Sequence, residues 1–123
     1  MTDVRFGGFE KLCYLCGMKI TDTVRNKIKS CLQIVAPDAN VLLYGSQARG
    51  DAHSDSDIDL LILLPDNLSP GEFIRRKSDI SGHLYDLSLE IEKEISPLIL
   101  VPKVFFARRT PFTANVLHDG IAI

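Results

Sequence analysis

The chain has 123 residues, 46% of them hydrophobic and 24% charged, enough for one modest core and too apolar for a disordered segment. A formal charge of −2 with a pI near 5.9 argues against a surface built for long nucleic acid, which is gripped by clustered cations. No apolar run approaches the roughly 20 residues that span a bilayer. The first residues lack the basic-then-apolar pattern of a signal peptide, so the expected location is cytoplasmic.

Residues 1–17 carry no clear periodicity and Met18 reads as a second start, which sets 1–17 apart as an N-terminal extension and 18–123 as the domain. Cys13 and Cys16 have half the spacing of a zinc site, but no second Cys/His pair follows at ligand distance. With Cys31 they are read as reduced, partly buried thiols. Val24, Ile28, Cys31, Leu32 and Val35 recur at helical spacing; Thr21 or Thr23 can cap that helix, and Pro37 ends it near Ala36. Val41 to Tyr44 is a short buried strand running into a Gly45-Ser46 turn, with a helical turn expected from Ser46 to Arg49. Gly50 to Ser56 reads as a polar loop in which His53 either is solvated or touches a phosphate or substrate.

Asp57 to Leu64 is the second strand. Ile58, Leu60, Ile62 and Leu64 fall on one face, and Asp57, Asp59, Leu61 and Leu63 on the other. Both faces are mostly apolar, so the strand should be covered on both sides. Ser69-Pro70-Gly71-Glu72 is a capping box with proline at the first helical position. It opens a helix of about Glu72 to Lys93, with a stripe of Phe73, Ile80, Leu84, Leu87 and Ile91 and a kink at Ser81-Gly82. Arg75-Arg76-Lys77 and Arg108-Arg109 are read as solvated cations. Glu94 to Val101 is the third strand, where Pro97 suits an edge or a bulge. Thr110-Pro111 to His118 forms a last helix stopped by Gly120. Tyr44 and Phe73 are assigned to the core. The order of elements gives an α/β (α+β) fold, a mixed sheet of three or more strands backed by helices.

Chemistry concentrates between Tyr44 and Asp59. A glycine-serine turn can offer backbone N–H groups to a phosphate. Carboxylates two apart on a strand lie roughly 7 Å apart along it and point the same way. Such a pair repels itself when partly buried unless a cation neutralises it, and oxygen ligands of this kind suit Mg²⁺. Together these features describe a site for a metal-bound nucleoside triphosphate. Ser46 could also simply cap the turn, and Arg49, one turn later, is placed to hold phosphate oxygens, its alternative being a surface cation near Asp51 and Asp55.

The run of Gly45, Ser46, Arg49, Gly50, Asp57 and Asp59 resembles the signature of the DNA polymerase β-type nucleotidyltransferase superfamily, and most closely its minimal nucleotidyltransferases. The resemblance implies a metal-dependent enzyme that moves AMP from ATP to a hydroxyl, with Mg²⁺ held by Asp57, Asp59 and a third carboxylate. Glu94 at the start of the third strand is the best match for that third acid; Asp86 is the rival, read instead as an exposed salt-bridging residue. Gly45, Ser46 and Arg49 would bind the triphosphate. The resemblance further implies a helical HEPN-type toxin as partner and acceptor, with this chain as its antitoxin, and leaves room for a homo-oligomer. Two other readings stay open: transfer to a small hydroxylated molecule such as an aminoglycoside, and a non-catalytic module that neutralises its partner by contact.

Overall fold

The computed structural model describes residues 22–45, 48, 57–107 and 110–123. Outside the described residues lie the 1–17 extension, the Cys13/Cys16 pair, Thr21, the Ser46 to Arg49 turn, the Gly50 to Ser56 loop with His53, and Arg108-Arg109. Among the described residues eight elements follow in order: α1 (Asp22–Val35), β1 (Asn40–Tyr44), β2 (Ile58–Leu63), α2 (Pro70–Ile91), β3 (Ile95–Leu100), α3 (Pro102–Ala107), α4 (Pro111–Asp119) and β4 (Ile121–Ala122). The sheet runs β3-β2-β1-β4. β1 is antiparallel to β2 and to β4, while β2 and β3 are parallel. A parallel pair needs a long crossover, and α2 supplies it.

The sequence dictates most of this. The capping box is present in full: Ser69 Oγ accepts from Glu72 N–H at 3.2 Å, and the Glu72 carboxylate reaches back to Ser69 N–H at 3.4 Å. α2 then runs helical through Ser81-Gly82, where a kink was expected. It ends at Ile91 because Glu92 turns into the left-handed region at φ 57° and sends its N–H to Ser88 O. Pro97 is tolerated because β3 is an edge strand.

Alternation along β2 divides the core. Ile58, Leu60, Ile62 and Leu64 pack with Ile28 and Leu32 of α1, Ile80, Leu84 and Leu87 of α2, and Ile95 and Ile99 of β3. On the other side Leu61 and Leu63 pack with Phe105 of α3 and Val116 of α4, with Tyr44, Leu98 and Leu100 partly buried beside them. Burial on both faces explains why β2 is almost uninterrupted aliphatic sequence.

Three further points depart from the sequence reading. α3 and β4 were not foreseen: six residues are too few to show a helical period, and β4 exists only through its pairing with β1. Arg76, read as solvated, makes a two-pronged ion pair with Asp38 at 2.9 and 2.6 Å, tying α2 to the end of α1. Asp86 is exposed as expected, yet it has no ion-pair partner among the described residues.

Candidate functional site

β1 ends at Tyr44, and its antiparallel register with β2 sets Tyr44 opposite Asp59. The next residue, Gly45, has φ +77°, a conformation that side chains other than glycine rarely adopt. A Cβ there would lie 2.5 Å from Asp59 Oδ2 and 3.4 Å from its Cγ. Gly45 is thus fixed twice, by its backbone angle and by the carboxylate pressed against it. The Gly45 carbonyl accepts the Ala48 N–H at 3.1 Å, and Ala48 packs on the main core. Ser46 and Arg49 lie outside the described residues.

The parallel register on the other side of β2 sets Ser96 opposite Asp59. Ser96 Oγ donates to Asp57 Oδ2 at 3.5 Å, a long hydrogen bond. Asp57 stands just before β2 and is exposed, whereas Asp59, inside the strand, is half-buried. Ser96 was not singled out from sequence. Its position in the parallel ladder was the missing information, and only counting back along β3 from Leu98 and Leu100 could have found it.

Tyr44 binds this end of the sheet to the thinner core. Its ring meets Phe112 edge-on, with centroids 5.6 Å apart and planes at 87°. Burial, and then the negative charge of Asp59, push its hydroxyl above the usual phenol range. The group therefore stays protonated at neutral pH, beside a carboxylate.

Glu94 is exposed and immediately precedes β3. Its backbone carbonyl accepts the Ile58 N–H at 2.9 Å, so it stands beside Asp57 at the same end of the sheet. Among the described residues, no three His, Cys, Asp or Glu side chains gather closely enough to hold a metal. The structure brings together Gly45, Asp57, Asp59 and Ser96; it places Glu94 at their margin. Asp86 lies in the C-terminal half of α2.

Two carboxylates on one side of a strand end, with a hydroxyl beside one of them, form a hard oxygen donor set. Mg²⁺ keeps several waters and is commonly held by one or two carboxylates together with substrate phosphates. The pair fits that pattern and does not require a full protein cage.

The family model described as a nucleotidyltransferase domain matches residues 24–111, from α1 to the start of α4. No curated protein matches the chain. Several solved structures do. A toxin–antitoxin complex with AMP-PNP shares 21% identity over 79% of this chain and 69% of that one, with a TM-score of 0.54. A tri-AMPylated Shewanella oneidensis HEPN toxin in complex with MNT antitoxin shares 17% identity over 84% and 71%, with a TM-score of 0.52. A candidate minimal nucleotidyltransferase shares 21% over 83% of this chain and 94% of its own length, with a TM-score of 0.56. At these identities the likeness is one of fold. Among the described residues no helix is long and apolar enough to cross a membrane.

Proposed function

We propose, since this chain belongs to the nucleotidyltransferase domain family, that it moves AMP from ATP to a hydroxyl on a partner protein, the hydroxyl oxygen bonding the α-phosphorus as the bond to the β-phosphate breaks and pyrophosphate leaves. The observation that carries the reading is Gly45 packed against the Asp59 carboxylate with Asp57 beside it. A bare glycine Cα leaves the backbone open to phosphate just where two acids call for a cation.

Each residue has a part. Asp57 and Asp59 would hold Mg²⁺, which when bound neutralises phosphate charge and makes an attacking hydroxyl more acidic. Ser46 and Arg49 follow Gly45 in sequence and would donate to the triphosphate, Arg49 through charge-assisted contacts. Tyr44 keeps a neutral phenol beside Asp59 and packs the strand end against Phe112. Ser96 steadies the Asp57 carboxylate. Glu94, next to Asp57 across the two strands, is the proposed third acid and would take the proton of the acceptor hydroxyl. Catalysis of this kind rests on positioning and charge neutralisation more than on covalent chemistry.

Beyond Ser96, Leu98 and Leu100 lead along the same side of β3 to an apolar cavity of about 350 Å³, also lined by Phe105 and Phe112. It offers room for the ring of a tyrosine acceptor. Similarity to a MNT antitoxin bound to its HEPN toxin supports a helical toxin as that partner, with this chain as its antitoxin.

The test is incubation of the chain with labelled ATP, Mg²⁺ and the product of the adjacent gene. Label on the partner, lost when Mg²⁺ is chelated, supports transfer. Inhibition of the partner without label supports the binding module instead.

A further inference from the structure

We propose that the outer face of α2 is a self-association surface on which a second copy of this chain docks its own α2 in antiparallel orientation. α2 buries Ile80, Leu84 and Leu87 on the core side. The opposite side of a surface helix is ordinarily polar. Here Ile74 is 66%, Tyr85 64% and Leu89 62% exposed. With Ser78, Ser81 and Gly82 they form one stripe at three- and four-residue spacing. A Cβ at Gly82 would meet nothing within 4 Å, so the middle of the stripe is an open notch.

The stripe complements itself. In a pair whose two-fold axis passes between Ser81 and Gly82, Ile74 meets the second copy's Leu89 and Tyr85 lies over the second copy's Ser78. Ser81 and Gly82 then face one another and let the backbones approach at the crossing. Two-fold symmetry makes every such contact twice.

Charge selects the same occupant. The charged side chains of α2 are Glu72, Arg75, Arg76, Lys77 and Asp79 in its N-terminal half and Asp86 and Glu90 in its C-terminal half. Arg76 and Glu90 are used within the chain, by Asp38 and Lys27. Arg75 and Asp86 are exposed and have no ion-pair partner among the described residues. They stand about three turns apart on one flank of the stripe. Antiparallel docking places each Arg75 beside the second copy's Asp86. A partner of unrelated sequence would not require α2 to be complementary to itself in shape and charge at once. One helix face is a small interface, so the dimer should be reversible, with a dissociation constant in the micromolar range.

Sedimentation velocity of the full chain alone, without nucleotide or partner, tests this. As concentration rises, the mass should climb from 13.7 kDa toward twice that value. Gly82→Gln fits the free monomer and improves helix propensity, so it should hold or raise the melting temperature while weakening the dimer at least about tenfold, or about 1.4 kcal/mol. Arg75→Glu and Asp86→Arg should each weaken it, and the double variant should restore it. A wild type that stays monomeric into the millimolar range overturns the proposal. So does a dimer indifferent to Gly82→Gln, or a double charge variant that fails to recover. No nucleotide enters the experiment, so its outcome is independent of nucleotidyl transfer.

Discussion

The two faces of the sheet are covered unequally. Among the described residues, thirteen buried side chains pack on the α1/α2 side and four on the α3/α4 side. β2 belongs to both. Its Ile58, Leu60 and Ile62 are fully buried on the thick side, while on the other side the strand passes from the half-buried Asp59 to buried Leu61 and Leu63. The thick face supplies most of the apolar burial that holds the fold. That surplus lets the thin face end in two neighbouring carboxylates, an arrangement that costs stability in itself.

Substitutions on the two faces should therefore have opposite consequences. The largest effect belongs to the thin face. Asp57→Asn and Asp59→Asn should each lower nucleotidyl transfer by about 10³-fold or more, the scale of several kcal/mol of lost charge stabilisation. Each should leave the circular dichroism spectrum unchanged, since each also relieves repulsion. On the thick face Leu84→Ala should cost about 2–5 kcal/mol of unfolding free energy in urea. Whatever folded protein remains should turn over normally. If Leu84→Ala abolished transfer in fully folded protein, the division between the faces would fail.

Gly45→Ala sharpens the boundary, because Gly45 serves both roles. Strain at a positive φ costs about 1–3 kcal/mol, and the new methyl would drive into the Asp59 carboxylate. Loss of both stability and activity is expected. A variant with normal stability and reduced activity would mean that the loop yields and the carboxylate alone is displaced.

The smallest effect concerns the ion pair that braces the thick face. The hydrogen-bonded Arg76 guanidinium holds the Asp38 carboxyl below the usual carboxylate range. A depressed folded pKa gives stability that is complete above the unfolded value near about 4 and is lost as pH falls through the folded value. Exposed pairs contribute about 0.2–1 kcal/mol. At neutral pH Asp38→Asn should cost within that range, measured by urea titration. Below about pH 4 the gap to wild type should begin to narrow, and it should close once the pH is under the depressed folded value, where both lack the charge.

Much of this was readable from the sequence. The split of β2 into two faces, the capping box at Ser69 and Glu72, and the edge position implied by Pro97 each follow from local chemistry, and local chemistry is what a sequence displays. What escaped depends on register or distance. The packing of Gly45 against Asp59 arises from the β1/β2 ladder, Ser96 reaches Asp57 through the β2/β3 ladder, and Asp38, in the turn after α1, meets Arg76 of α2. Asp57 and Asp59 were legible as a pair because their spacing matches the strand repeat. Glu94 was chosen by its place at the start of β3, and the structure sets it beside Asp57 without closing a three-acid cluster.

The most direct test of the two-carboxylate site is calorimetric titration of a non-hydrolysable ATP analogue into wild type and the Asp57→Asn/Asp59→Asn double variant, with and without Mg²⁺. Binding by wild type only when Mg²⁺ is present, with no heat from the double variant, is the expected result. Equal binding by both proteins would contradict it and place the nucleotide elsewhere on the molecule.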